Sequence, residues 1–168
     1  MKVGVRLPTD FADVAEFLAD AAAFDAAGAD WLWVDGTPVE APVLLAAVAA
    51  VAPRAHLGAH LGQGSDCSEA CLAGMLRALE RVARGRRVVV LRGELPPAVD
   101  LPGSQAGEVD RRLLVPAPES RAAWAASLAR AEAMGVQGVL VEAGPRLLDL
   151  LRNQEPGDGR PDLQLAQG

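Results

Sequence analysis

The sequence predicts an α/β fold in which parallel strands alternate with helices. Over Lys2–Leu61 the chain has the pattern strand, amphipathic helix, strand, helix, strand with short connections, which is typical of βαβ units on a parallel sheet. The same alternation resumes near residue 112 and gives six strands and about five helices in all. At 168 residues the chain has the size of one domain. We therefore expect a single domain over residues 1–152 and a flexible tail over 153–168.

The six predicted strands are short and largely apolar. The first and third alternate apolar residues with polar residues or glycine, and the fourth is a continuous apolar run typical of a buried parallel strand. Their predicted bounds are Lys2–Leu7, Trp31–Val34, Arg54–Leu61, Arg87–Leu91, Arg112–Val115 and Val136–Val141.

Apolar residues at helical spacing predict the helices between these strands. The first is capped at Thr9 or Asp10 and ends at a left-handed Gly28, and the third is capped at Asp66. The other helices are predicted at about Glu40–Val51, Glu119–Met134 and Pro145–Leu151. The segment Gly93–Asp110 has several prolines and glycines and no periodic pattern, so we expect a loop that is either a functional lid or the remnant of a deletion.

Composition and charge exclude several classes of function. The net charge of −6 argues against a nucleic-acid surface, and the cluster Arg84, Arg86 and Arg87 is explained by the negative end of a helix dipole. The chain shows neither a secretory signal nor an apolar run long enough to span a membrane, so we expect a cytoplasmic protein without membrane contact. Cys67 and Cys71 lie four residues apart in a helical stretch, which suits packing better than a metal site or disulfide framework.

Several short passages, taken in order, resemble the bacterial luciferase-like monooxygenase family. The opening KVGVRLP resembles the first strand of that family, and FLADAAAFDAAGADWLWVDG resembles its passage into the second strand. APVLLAAVAAVAPRAHLGAHL and LAGMLRALERVARGRRVVVLRG are similar to the passages into the third and fourth strands. AAWAASLARAEAMGVQGVLVEAGPRLLDLLR resembles the closing helix, strand and helix. The resemblance covers Lys2–Gly93 and Ser120–Arg152 and rests on the colinear order of the passages.

This resemblance implies a flavin- or deazaflavin-dependent oxidoreductase or monooxygenase with FMN or coenzyme F-420 as its cofactor. The family is built on a TIM barrel, and a complete barrel of eight units needs roughly 250 residues. We therefore expect a shortened TIM-barrel-like fold with about six parallel strands and surrounding helices. Six strands leave sheet edges whose unpaired backbone groups need a cover, and covering by a second copy of the chain predicts a homodimer.

The carboxyl ends of the barrel strands are where the resemblance implies catalytic groups. His60 lies near the end of the third strand, on a face shared with His56 and Gly58, and is a candidate to contact the cofactor ring or substrate. The alternative is that both histidines face the helices or solvent. Asp35, at the end of the second strand, is a candidate to bind a substrate or cofactor hydroxyl, although Asp35–Gly36 is also an ordinary turn pair.

Candidate cofactor-binding residues follow from the same correspondence. Gly58 permits close approach of the backbone to a ligand, and Arg92 with Gly93 follows the fourth strand where the family binds phosphate. Gly144 and Arg146, after the last strand, form a second candidate phosphate site. Ordinary loop geometry is the alternative explanation at both places.

Three hypotheses on function remain open at this point. The first is an oxidoreductase that binds FMN or a deazaflavin, and the second is a degenerate relative that acts as a non-catalytic flavin-binding or dimerising scaffold. The third is an unrelated small α/β module. Where the family often has a histidine after the acidic residue of the second strand, this chain has Asp35–Gly36–Thr37, and only one glycine follows the fourth strand. Both departures favour the second hypothesis over the first.

Overall fold

A computed structural model describes residues 1–62, 67–103 and 107–153 of the chain. The predicted tail lies almost wholly outside these residues, as does the predicted cap Asp66. The described residues form seven strands and five helices. The strands pair in one mixed sheet with a nearly closed, barrel-like shape. In chain order they are β1 Lys2–Leu7, α1 Val14–Ala26, β2 Trp31–Gly36, α2 Glu40–Val51, β3 His56–Leu61, α3 Glu69–Ala83, β4 Val88–Arg92, β5 Ala98–Pro102, β6 Val109–Val115, α4 Arg121–Ala133, β7 Gly138–Glu142 and α5 Leu147–Arg152.

The strands are arranged in the order β4-β3-β2-β1-β7-β6-β5. Every neighbouring pair is parallel except β5 and β6, which are antiparallel. The strand β5 was not predicted, and the interpretation of Gly93–Asp110 as a loop without regular structure is wrong for the described part of that segment. Val99 and Leu101 do alternate with Asp100, but the surrounding prolines obscure this pattern. Proline is tolerated here because β5 is an edge strand.

The helix caps differ from two of the predictions. Asp13 caps α1 and accepts a hydrogen bond from Ala15 N, because the helix begins one turn later than the Thr9–Asp10 prediction required. Ser68 caps α3 in the same way and accepts from Cys71 N. The prediction for Gly28 is confirmed, since its φ of +91° places it in the left-handed region that ends a helix without strain.

The two faces of the sheet bury two different clusters. The outer face packs against the helices, and its strand residues are Val3, Val5, Leu7, Leu32, Val34, Leu57, Ala59, Leu61, Leu113, Val115, Val139 and Val141. The inner face fills the concave side with Trp31 and Trp33, the edge-strand residues Val99 and Leu101, and Leu140. Because β5 contributes buried side chains to this inner cluster, it belongs to the core and is not a lid.

Candidate functional site at the carboxyl ends of the strands

Four charged or polar side chains meet where neighbouring parallel strands end. They are Arg6 of β1, Asp35 of β2, His60 of β3 and Glu142 of β7. The strand register places Arg6 beside Glu142 and Asp35 beside His60, so all four point toward the concave side. This is the edge of a parallel α/β sheet at which ligands ordinarily bind.

Arg6 connects the two carboxylates of this cluster. Its Nε and Nη2 atoms lie 2.6 and 2.5 Å from Asp35 Oδ2, and its Nη1 lies 3.1 Å from Glu142 Oε1. Asp35 Oδ1 is buried and has no hydrogen-bond partner among the described residues. The guanidinium therefore fixes the position of both acids while one carboxylate oxygen keeps its accepting capacity.

His60 lies beside this pair on the concave face, so the alternative that it faces the helices or open solvent is wrong, while its predicted contact with a cofactor ring or substrate stays a prediction. Its Nδ1 is 3.3 Å from Asp35 Oδ1, outside hydrogen-bonding geometry, and its Nε2 is 2.6 Å from the carbonyl oxygen of Gly93. A carbonyl can only accept, so the proton is assigned to Nε2. His60 therefore holds the Gly93 turn in place through Nε2, and its other ring nitrogen, Nδ1, faces Asp35.

A cleft with an apolar wall opens beside the cluster. A cavity of about 370 Å³ is lined on its apolar side by Phe11, Val39 and Val43. A smaller cavity of about 200 Å³, lined by Arg6 and Glu142, adjoins it, because Thr9 and Asp35 border both. Val39 and Val43 expose 47% and 60% of their surface on this wall. The cleft thus combines a charged floor with an accessible apolar wall.

The residues predicted to grip a cofactor phosphate have other partners. Arg92 binds Glu69 through two hydrogen bonds of 2.5 and 3.0 Å, which lower the pKa of that carboxyl. Arg146 donates to the carbonyl oxygen of Glu119 at 2.7 Å. A Cβ atom on Gly144 would lie 2.8 Å from Ala117 Cβ, so the glycine there allows two loops to pack. These residues do not assemble a phosphate cradle, and they do not fit the phosphate group of FMN or a deazaflavin.

Gly58 allows another group to lie close to its backbone, but that group is a side chain of the protein itself and not a ligand. The six-membered ring of Trp33 lies directly over it, and a Cβ atom at Gly58 would come within 1.8 Å of Trp33 Cε3. The buried indole therefore covers the backbone of Gly58, which is not open to a ligand at this point.

His56 lies at the opposite end of β3, on the same concave face. Its Nδ1 accepts a hydrogen bond from the backbone N–H of Arg87 at 3.2 Å, and its ring lies 5.0 Å from that of Trp31. Burial lowers the pKa of His56, and the positive charge of Arg87 adds to that effect. The neutral ring is therefore the form that folding favours.

We expect stability to fall on mild acidification because of His56. A lowered folded pKa means that its contribution is fully present above the unfolded value of about 6.5 and is lost as the pH falls below it toward the folded value. In His56→Gln this contribution is absent, so the difference in unfolding free energy between wild type and variant should shrink from pH 7.5 to roughly 5.5. Urea unfolding at several pH values measures it, and a constant difference would contradict the assignment.

Two members of the cluster, Arg6 and Glu142, were missed by the sequence reasoning. Glu142 directly follows the last predicted strand, where the resemblance drew attention to Gly144 and Arg146 instead, and Arg6 lies within the first predicted strand. The alternation of Arg6 with the buried Val5 and Leu7 was the available signal, since it places an arginine on the face opposite the helices.

Within residues 1–62, 67–103 and 107–153, no group of three or more His, Cys, Asp or Glu side chains could hold a metal ion. None of the described helices is long and apolar enough to cross a membrane. Compared with protein-family models, curated proteins and solved structures, the chain matches none of them.

Proposed function

We propose that this chain is a degenerate relative of luciferase-like barrel enzymes that acts as a small-molecule-binding protein. The observation that supports this best is the charged floor of Arg6, Asp35 and Glu142 beside an apolar, accessible cleft at the carboxyl ends of the strands. The cleft volume is at the lower end of the range of small-ligand sites. Its relation to the luciferase-like family rests on the sequence resemblance alone.

The charges of the cleft favour a ligand with a cationic or hydrogen-bond-donating group. One arginine, Arg6, faces three carboxylates, Asp35, Glu40 and Glu142, in the lining of the two cavities. Asp35 Oδ1 is buried, so the accessible acceptors are Asp35 Oδ2 and the more exposed carboxylate of Glu142. An amidinium or ammonium group donates to these oxygens while an attached aromatic ring packs against Phe11 and Val43. An anionic ligand would be repelled by the excess of negative charge.

A conventional flavin enzyme is less well supported by the same residues. Arg92 and Arg146, the two arginines predicted to bind phosphate, bond instead to groups of the protein. The indole of Trp33 occupies the place beside Gly58. The meeting of Asp35 and His60 is what keeps oxidoreductase activity as the second candidate, because the resemblance implies catalytic groups at these strand ends.

Binding can be tested with three matched probes: benzamidine, which is cationic, benzamide, which is neutral, and benzoate, which is anionic. We expect protein NMR shifts at the cleft with benzamidine and weaker or no shifts with the other two. Asp35→Asn should weaken benzamidine binding about tenfold, because a charge-assisted hydrogen bond is lost. Asp20→Asn, on the exposed face of α1, is the matched control. Equal binding of all three probes would reject the cleft as a charge-selective site.

A second titration separates the binding protein from the enzyme. FMN, riboflavin and reduced deazaflavin are added while the fluorescence of Trp31, Trp33 and Trp124 is followed. We expect no binding that depends on the phosphate group, and micromolar FMN binding that is lost with riboflavin would instead support the oxidoreductase.

The predicted homodimer remains a prediction, motivated by the edge strands β4 and β5. Gel filtration at the mass of one chain would remove it.

A further inference from the structure

A second cavity lies at the far side of the molecule, between the carboxyl-terminal ends of α2 and α3. It has a volume of about 530 Å³ and a wall of small apolar residues that includes Ala49, Ala78 and Val82. Because these helices run back along the sheet, their ends lie near the amino-terminal ends of the strands. The cavity is therefore separate from the cleft described above.

Arg86 neutralises the negative ends of both helices. Its Nε donates to the carbonyl oxygen of Ala83 at 2.7 Å, its Nη2 donates to Ala49 O at 2.9 Å, and its Nη1 donates to Ala52 O. Burial lowers the pKa of Arg86 and nearby Arg84 adds to this, while Asp25 opposes it. These bonds satisfy the last carbonyls of α2 and α3, so the other arginines of the cavity are not needed for that purpose.

Arg81 and Arg84 carry positive charge at the wall of this cavity, whose lining contains no carboxylate. Both side chains are exposed and line the cavity, and neither forms an ion pair with a described residue. The dipole of α3 favours cations at its end, but it does not require two guanidinium groups beside a cavity with an apolar wall. In a chain of net charge −6, this local excess of positive charge stands out.

Arg84 also has a backbone conformation that is costly for its type. Its φ of +51° makes it the one non-glycine residue in the described ranges with a positive φ. By contrast, the corresponding cap residues of α1 and α4, Ala27 and Met134, have right-handed backbones, and α3 is followed, like those helices, by a glycine of positive φ, Gly85 at +81°. An arginine where glycine would be unstrained indicates that its side chain has a use.

We propose that this cavity binds an organic anion, a carboxylate or phosphate attached to an apolar body. The fork of a guanidinium matches both anions through paired hydrogen bonds. Arg81 and Arg84 hold the anion, and the apolar body packs against Ala49, Ala78 and Val82. The site does not depend on the ligand-binding function proposed for the cleft.

The test uses two fluorescent probes that differ in one charged group: 8-anilinonaphthalene-1-sulfonate and its neutral analogue N-phenyl-1-naphthylamine. We expect the anionic probe to bind and the neutral one to bind much more weakly. The double substitution Arg81→Gln and Arg84→Gln should weaken binding of the anionic probe at least about tenfold. Arg130→Gln, on the exposed face of α4, should leave that binding unchanged. Competition with 2-naphthoate and 1-naphthyl phosphate identifies which anion is preferred, and failure of both to compete would overturn the proposal.

A single substitution separates binding from folding. Arg84→Gly should raise the thermal unfolding midpoint by about 2–4 °C, because the backbone strain at this position is relieved. The same variant should still bind the anionic probe more weakly than the wild-type protein. Unchanged binding in this variant, or equal affinity for the two probes, would overturn the proposal. A change of mass on gel filtration in the double glutamine variant would also overturn it, since the arginines would then contact a second copy of the chain.

Discussion

Replacing Gly58 with alanine is expected to lower the free energy of unfolding by about 3 kcal/mol. The added methyl group would lie 1.8 Å from Trp33 Cε3 and 2.2 Å from Cζ3, distances at which the indole must move. Trp33 is completely buried in the inner cluster, so a displaced ring has no free space to enter. Urea unfolding of the purified variant measures the loss.

A double substitution shows whether the indole is the cause. Gly58→Ala combined with Trp33→Leu should be about 2 kcal/mol more stable than the sum of the two single losses predicts, because the smaller side chain leaves space for the methyl group. Gly74→Ala is the control, since its added Cβ has no neighbour closer than Arg77 Nη2 at 4.0 Å and alanine favours the helix. If Gly58→Ala unfolds at the same urea concentration as Gly74→Ala, the packing of Trp33 over β3 is wrong.

The sequence predicted the periodicity of β3 but not the direction in which it faces. His56, Gly58 and His60 were placed on one face because side chains alternate along a strand, and the structure has them on one face. Whether that face meets the helices or the concave interior depends on the curvature of the whole sheet. Two tryptophans two residues apart, Trp31 and Trp33, fill that interior. Nothing in their local pattern distinguishes a residue facing the interior from one facing the helices.

The candidate site was predictable only to the extent that it depends on strand ends. Asp35 and His60 were found because parallel strands bring their carboxyl ends to one edge. The predicted roles of Arg92 and Arg146 depended on their side chains being available, and the partners of both, Glu69 and the carbonyl of Glu119, come from distant parts of the chain. The strand β5 was missed because edge strands obey weaker rules of composition.

A network of four charged side chains, of which Arg112 and Asp110 are buried, closes the amino-terminal end of the barrel-like sheet. Arg112 is fully buried, and its Nη1 and Nη2 lie 2.7 Å from Asp30 Oδ1 and 2.8 Å from Asp110 Oδ2. Lys2 Nζ lies 2.9 Å from the same oxygen of Asp110. Two positive and two negative side chains therefore balance one another on the concave side. Gly4 borders this network, and a Cβ atom there would lie 3.0 Å from Leu140 Cδ1 and 3.1 Å from Trp31 Cβ, so the glycine leaves room for those two side chains.

Replacing Arg112 with methionine should cost about 3–5 kcal/mol of stability at neutral pH, because it leaves Asp110 buried beside Lys2 as its one remaining cation. In the wild-type protein burial alone would raise the pKa of Asp110, but the bonds from Arg112 and Lys2 outweigh it and hold that pKa below its usual value. The stabilising contribution of Asp110 is therefore present above the unfolded pKa of about 3.9 and is lost as the pH falls through the folded value.

The same substitution reverses the pH dependence of this carboxyl. Without Arg112 we expect burial to raise the pKa of Asp110 above the unfolded value, so that acidification toward about pH 4.5 restores part of the lost stability. Adding Asp110→Asn to Arg112→Met should recover stability at neutral pH, since the stranded charge is then absent. Urea unfolding at both pH values measures these effects, with Arg130→Met as the exposed control. An equal loss at the two pH values, without recovery in the double variant, would show that Arg112 acts by filling space and not by balancing charge.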